Sequence, residues 1–570
     1  MDRLKYLLAL CFLISNINFS LAQKSHSENE TLNSNESVFV HVNATSFVSG
    51  EKLFYKLYLL NAADNKASLL SKIAYVELIG AAKKIIFDHK LFLEKGFGQG
   101  DFIIPSDLQT GNYKLVAYTK WMLNKERFFE SEIFIINPFE KLHPDLISKS
   151  GSNTIVQNTN GNTTQNSNFD FQIPKKKYTK REKVTLKLQP KSNQNTIGNF
   201  SVSVRKADDL PSGKRITSEE FKDSKSTENS KIATNNSLPE LRGEMIAGKI
   251  VSKSGSKEVT NKTVSLSIPG KNFTFQLAKT NVEGKFIFNI DKPFYSNDAI
   301  FQVVSEDQKE FDIQIEKNEN IVLNNLRFEK SFSISPESKN ALQERSIASQ
   351  IENAYLSKKT DSIIASQKYT AFYEPIAKEY VLDNYTRFKT LKETSVEIIP
   401  EMYFSKKGAH QFLYLRDYSN NTKSNESALV LVDGLLLQNT DELYEYDSNL
   451  IDKISIQPGA YYYGNKVFNG IISIVTKTND FESTNPENLM HKISLQRPTP
   501  KKLYFKQEYP DNKNERIPDY RNQLLWLPEA DLETPISFYT SDVSGTFEII
   551  LEGFTSDGKP LSLKETFIVQ

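Results

Sequence analysis

The chain reads as mainly β: tandem β-sandwiches with a small α/β insert and a short helical segment. Three observations predict this class. Apolar residues alternate with period two on both sides of a turn in SVFVHVNATSFVSGEKLFYKLYLL (37–60), the pattern of adjacent antiparallel strands. The 570 residues hold 25 Tyr and 37 Phe, which together with many Val, Ile and Thr favour strands. The clearest helical spacing is confined to one stretch, 335–367.

Length and composition set the outer limits. The chain is long enough for roughly three to five domains. Apolar residues make up 38 % and charged residues 25 %, which suits globular cores. Lys plus Arg (71) nearly cancel Asp plus Glu (70). There is neither a basic stripe for nucleic acid nor an acidic tail for a basic partner.

The N-terminus, MDRLKYLLALCFLISNINFSLAQ, has the parts of a secretory signal peptide. Arg3 and Lys5 form a basic head, Leu7 to Ile14 an apolar run, and Ser20-Leu21-Ala22 a small-x-small cleavage signal. Residues 1–22 are therefore expected to be removed and the protein exported. The run is too short for a membrane anchor and is interrupted by Ser15, Asn16 and Asn18. Cys11, the single cysteine, lies inside this run, with Leu10 where a lipoprotein signal wants a small residue. The mature chain is then expected to lack disulfides, thiolate metal sites and a cysteine nucleophile. No later stretch approaches 18 uninterrupted apolar residues, so no spanning helix is expected.

Residues 23–37 are polar and read as disordered. From 38 to 140 the expected strands are Val38–Val42, Leu53–Leu59, Ala74–Ile79, Lys84–Asp88, Gly100–Ile104, Asn112–Thr119 and Glu130–Ile136. Short strands with regular turns make one β-sandwich. Residues 141–168 are a Ser/Asn/Gly/Thr linker. KVTLKLQP (183–190) and GNFSVSVRK (198–206) place strands in a second unit, 169–240, which carries a polar loop. A third sandwich, 241–330, starts at LRGEMIAGKIV. In its TNVEGKFIFNI (280–290), Gly284 supplies a turn before Phe286, Phe288 and Ile290 on one face.

Residues 331–423 form a helical connecting region. Ser335 can cap a helix, Pro336 suits its first turn, and Ile347, Ile351 and Tyr355 make an i, i+4, i+8 stripe expected to pack on a sheet. A second short helix is expected around Leu391–Ile399. In 424–478, ALVLVDGLLL (428–437) reads as a strand, an Asp-Gly turn and a second apolar run; IDKISIQPG (451–459) and GIISIVTK (470–477) are further strands. Residues 479–570 end in strands at 536–542, 545–561 and 565–570. Parts of one sandwich are expected on both sides of the insert.

Several segments resemble known families. FVSGEKLFYKLYL (47–59), GFGQGDFIIPSDLQTGNYKLVAYTKWMLN (96–124) and IINP (135–138) resemble the second macroglobulin-type (MG2) domain of alpha-macroglobulin-like proteins, in its Bacteroidota version. The units at 169–240 and 479–570 resemble other macroglobulin-like, immunoglobulin-like sandwiches. TNVEGKFIFNI is similar to carboxypeptidase-regulatory-like domains, with Asn281 in place of the usual acidic residue. Val432-Asp433-Gly434, Ile451 to Ile456, Tyr463-Gly464 and Gly470 to Lys477 resemble the plug domain of TonB-dependent receptors. Such receptors continue into a barrel of many strands. The residues after Lys477 include PTPKK and YPDNKNER and are too few and too polar for that, so a self-contained transporter is not expected.

Chemistry-bearing motifs are sparse. Gly96-x-Gly98-x-Gly100 precedes a strand, not a helix, and reads as a turn and not a phosphate loop. His26, His41, His89, His143, His410 and His491 have no metal-ligand spacing. There is no G-x-S-x-G elbow. Asp433 is accounted for by turn geometry and has no identifiable acid–base partner. The thioester of full macroglobulin traps needs a cysteine that the mature chain would not have. Asp361-Ser362-Ile363 fits the short O-glycosylation pattern of Bacteroidota.

These features imply a non-enzymatic exported protein at the outer membrane, in the periplasm or at the cell surface. It would be a scaffold or a partner-binding subunit. No catalytic, cofactor or metal residue is expected. Partners would be cell-envelope proteins, with an outer-membrane barrel as one candidate. Tyr461, Tyr462, Tyr463 and Phe468 are the candidate contact residues, since aromatic side chains dominate hot spots; packing inside the protein is the competing role. Two alternatives stand beside this one: an accessory subunit of TonB-dependent uptake or protein export docking onto a separate barrel, and a hydrolase with an unrecognised site.

Overall fold

The computed structural model describes residues 35–125, 128–141, 169–190, 196–207, 210–224, 237–316, 321, 323–328, 333–364, 369–416, 427–509 and 517–570. The expected signal peptide, Cys11, nearly all of the polar segment and all but the first residue of the 141–168 linker lie outside these. Within them the protein is mainly β. Three sandwiches and one mixed sheet account for most strands.

The first sandwich follows the alternation in the sequence. Glu36–Val42, Lys52–Asn61 and Phe97–Ile103 form one sheet; Ser46–Val48, Phe129–Ile136, Gly111–Tyr118, Ile73–Gly80 and Ile85–Phe92 form the other. Val38, Val40, Val42, Leu53, Tyr55, Leu57 and Leu59 fill the core between them. Phe39, His41 and Tyr58 point the other way, yet they are buried as well. A second sandwich covers that face, with Phe554 against Phe39 (5.6 Å) and Tyr58 (5.8 Å). Of the three glycines read as a turn, only Gly96 is in one (φ 87°). Gly98 and Gly100 are within the strand, where a Cβ on Gly100 would lie 2.2 Å from the Tyr55 hydroxyl.

The second sandwich joins distant parts of the chain. One sheet runs in the order Lys177–Tyr178, Pro560–Val569, Gly545–Thr555, Gly198–Lys206, Gln523–Leu527. The other is Ile536–Tyr539, Lys183–Pro190, Phe169–Gln172. Val202 pairs with Leu551 on one side and Leu527 on the other. Strands of the segment 169–240 and the strands from Gln523 onward in 479–570, separate units by sequence order, are thus halves of one sandwich with one core. Neither half can bury its apolar face alone, because each supplies strands to both sheets.

The third sandwich packs Lys285–Ile290, Glu244–Ser252 and Phe311–Ile315 on Thr274–Lys279, Thr263–Ile268 and Asp298–Val303. A late strand, His491–Ser494, extends the second sheet beside Asp298–Val303. Gly284 (φ 77°) makes the expected turn. The Asn281 Oδ1 accepts from the amides of Glu283 and Lys285, both at 2.9 Å, so the amide side chain holds the loop. Phe286, Phe288 and Ile290 are buried, while Ile287 between them faces out.

The region 331–423 is less helical than its pattern suggests. A helix spans Lys339–Ala354, and a second, Leu391–Glu397, starts at a Thr390 capping box. Lys378–Val381 is a strand of the mixed sheet, and Met402–Lys407 with His410–Leu415 is a hairpin. The Ile347–Ile351–Tyr355 stripe is not the inner face of the long helix: Ile347 is 46 % exposed. Arg345, Ala348 and Ser349 are buried instead. Arg345 decides this rotation. Its guanidinium donates to both carboxylate oxygens of Glu51, at 3.0 and 2.5 Å, and to the Ser46 carbonyl at 3.0 Å. A buried ion pair that kept only one partner would cost several kcal/mol, on the order of 3–5, more than the exposure of one isoleucine.

Candidate functional site

The mixed sheet carries the four candidate contact residues. Its order is Lys378–Val381, Ile451–Tyr463, Lys466–Thr476, Leu429–Val432, Leu435–Leu436. Leu429–Val432 runs parallel to Lys466–Thr476. Both faces are buried. Val430, Val432, Ile454, Ile456, Ile472 and Ile474 pack beneath the hairpin and the short helix. Leu429, Leu431, Leu436 and Ile471 pack on Phe273 and Phe275 of the third sandwich. That is why ALVLV is apolar without alternation.

The Asp-Gly turn fixes this junction. Asp433 (φ 48°) and Gly434 (φ 85°) both have positive φ, as a type I′ hairpin requires. The Asp433 carboxylate is buried. It accepts from the Thr476 amide at 2.8 Å, the Thr476 hydroxyl at 2.5 Å and the Phe481 amide at 3.1 Å. These bonds tie the turn to the end of its parallel neighbour. A Cβ on Gly434 would lie 2.2 Å from the Phe273 side chain, so glycine is needed for space as well as for backbone conformation.

The four aromatic residues divide between two environments. Tyr461, Tyr463 and Phe468 turn inward. Tyr463 stacks on Phe275 (5.7 Å, 20°), packs on Phe372 at 4.4 Å, and donates its hydroxyl to the Phe275 carbonyl at 2.6 Å. Burial pushes the Tyr463 phenol up from its ordinary pKa. Tyr461 donates to the Phe372 carbonyl at 3.5 Å, and Phe468 is 9 % exposed. Tyr462 alone faces solvent, 77 % exposed, opposite the half-exposed Val467 on the partner strand. The sequence reading missed Phe275 and Phe372, which receive Tyr463. The aromatic cluster YTAFYEP (369–375) is the signal that could have found Phe372.

Two histidines, His41 and His89, are held inside the frame. His41 Nδ1 lies 2.6 Å from the Ser201 hydroxyl, a Ser–His contact sealed between the first and second sandwiches. Burial, aided by Arg215, holds the His41 imidazole well below its usual pKa. His89 shares a hydrogen bond with the Tyr55 hydroxyl at 2.8 Å, and burial lowers its pKa to about 4. His410 lies between Asp441 (3.3 Å) and Glu487 (3.4 Å). Among the described residues no His, Cys, Asp or Glu cluster is arranged to hold a metal, and no helix is long and apolar enough to cross a membrane.

No family model matches the chain, and no curated protein matches it. Solved structures do. Salmonella alpha-2-macroglobulin reacted with methylamine is 9 % identical, with 94 % of this chain and 40 % of that chain covered and a TM-score of 0.22. Escherichia coli alpha-2-macroglobulin activated by porcine elastase is 9 % identical, with 94 % and 44 % covered and a TM-score of 0.22. The trypsin-activated Escherichia coli protein is 10 % identical, with 94 % and 41 % covered and a TM-score of 0.23. The chain thus spans about two fifths of the length of these proteins. The assignment to mainly β, tandem-sandwich proteins rests on the sheets themselves.

Proposed function

We propose that the protein is a non-enzymatic, exported scaffold or partner-binding subunit of the cell envelope, associated with the outer membrane. The observation that carries this reading is the double burial of the plug-like sheet: one face lies on its own hairpin and helix, the other on the third sandwich. The module is built in as a fixed part of a sandwich frame. Tyr462 and Val467 are the exposed apolar pair at its hairpin tip. The signal-peptide pattern of residues 1–22 supports export. N-terminal sequencing of the native protein should begin at Gln23. Crosslinking in native envelopes followed by affinity capture should recover an outer-membrane protein. Failure to recover one, with the bait intact and crosslinked, sinks the proposal.

A second reading, docking of the plug-like module onto a separate barrel in uptake or export, is favoured by the plug-like motifs and by the outward hairpin tip. It requires the captured partner to be a barrel and its deletion to share a transport defect with deletion of this protein.

A further inference from the structure

The near-balance of charge over the whole chain conceals one local excess. KKKYTKREKVTLK (175–187) holds six lysines and one arginine against a single acid, Glu182. All six lysines are exposed. The fold fixes where they stand. Lys177–Tyr178 is the edge strand of one sheet of the second sandwich, and Lys183–Pro190 is the middle strand of the other. The turn between them is held at both ends. Tyr178 is in the core, and its carbonyl accepts from the Gln570 amide at 3.0 Å. The Thr540 hydroxyl donates to the Thr179 carbonyl at 2.8 Å, and the Thr540 amide to the Glu182 carbonyl at 3.0 Å. Val184 and Leu186 point into the core, so Lys183 and Lys187 share the outer face of their strand.

The acids within reach are already taken. Glu182 accepts from the Thr179 amide at 2.8 Å and pairs with Lys175. Glu565 pairs with Lys176 at 2.7 Å, and Asp542 with Arg181 at 2.7 Å. Among the described residues, Lys177, Lys180, Lys183 and Lys187 pair with no carboxylate. Two uncharged side chains stand between these lysines. Ile568, 38 % exposed, is beside Lys177 in the register, and the half-buried Tyr539 is beside Lys183.

This arrangement defines the partner. Fixed, unneutralised ammonium groups attract a body of opposite sign. Lys183 and Lys187 are about 13 Å apart along the strand, at about 3.3 Å per residue, and strand side chains stand roughly parallel to one another. They meet an extended anionic surface and do not converge on one small anion. Isoleucine and tyrosine among lysines match the boundary of a bilayer, where apolar side chains enter the headgroup layer and amines reach its phosphates. We propose that this face of the second sandwich docks on an anionic phospholipid surface, with Lys177, Lys180, Lys183 and Lys187 on headgroup phosphates and Ile568 in the headgroup layer. This contact needs only lipid and this chain, so it and the protein partner proposed above can fail separately.

The full mature protein should float with vesicles of phosphatidylglycerol and phosphatidylcholine, and not with vesicles of phosphatidylcholine alone. Raising salt from about 0.1 M to about 1 M shortens the screening length from about 10 Å to about 3 Å and should release it. Each lysine near an anionic surface strengthens partition roughly fivefold. Lys180→Gln with Lys183→Gln should therefore weaken flotation about 25-fold, and Gln at 177, 180, 183 and 187 together by several hundredfold. All four side chains are exposed, so the melting transition should not move. Gln at Lys249, Lys257, Lys271 and Lys279, exposed on the third sandwich, removes the same total charge and should leave flotation unchanged. Wild-type protein that stays down with the anionic vesicles, equal loss in the two fourfold variants, or binding of the wild type to DNA in place of the vesicles overturns the proposal.

Discussion

The junction between the first two sandwiches makes stability depend on pH through Glu552. Its side chain is fully enclosed and accepts from the Ser218 amide at 2.9 Å and the Ser562 hydroxyl at 2.8 Å. Burial raises its pKa from 4.5 to about 7, against the opposing pull of those hydrogen bonds and of Arg215. The folded protein therefore holds this proton more tightly than the unfolded chain does. The resulting stabilisation is complete below pH 4.5 and is lost as pH rises to about 7. At 1.36 kcal/mol per pKa unit the loss is about 3 kcal/mol. His41, across the same junction, acts in the opposite sense: kept neutral when folded, it costs stability as pH falls below its ordinary 6.5. Glu552→Gln mimics the protonated acid and removes the first effect alone. Urea unfolding of wild type and Glu552→Gln from pH 4.5 to 7.5 should show the variant gaining about 3 kcal/mol on wild type across that range. A stability difference that stays flat with pH, or one that moves the other way, refutes the assignment of a raised carboxyl to this junction.

Three further outcomes follow from the packing. Gly434→Ala forces a Cβ into Phe273 at a positive φ and should destabilise by about 2–5 kcal/mol in denaturant unfolding; hydrogen exchange should rise first in Leu429–Val432. Arg345→Ala leaves Glu51 buried beside Arg205 alone and should cost about 3–5 kcal/mol. In the wild type burial pushes the Glu51 carboxyl up, but Arg205, Arg345 and the Val48 amide together outweigh it and hold the pKa at about 2, so wild-type stability from this group is present above 4.5 and lost as pH falls toward about 2. Ile347→Ser, on the outward face of the same helix, should change the melting transition by no more than about 0.5 kcal/mol.

Local pattern made some of this architecture legible. Val38, Val40 and Val42 announced a strand because side-chain direction alternates along any strand. The Asp433-Gly434 turn was legible because few residue pairs accept two positive φ angles. The Ile347–Ile351–Tyr355 stripe misled because the helix is oriented by Arg345 and Glu51, which are far apart in sequence. The pairing of Val202 with Leu551 and Leu527 depends on segments separated by two other modules, and no local periodicity encodes which strands become neighbours. The Tyr461–Tyr463 run was visible as aromatic surface. Its division into inward and outward residues depends on Phe275 and Phe372, which only the folded chain brings alongside. Leu524-Leu525-Trp526, apolar at consecutive positions, marks a strand covered on both faces.

A photo-crosslinking amino acid at position 462 in the native envelope tests the partner-binding role most directly, with position 363, also exposed and on a different part of the frame, as the control. The account predicts a discrete crosslink from position 462 to an outer-membrane protein and none from position 363. Full-length, folded protein that crosslinks to no other protein from position 462 would contradict it.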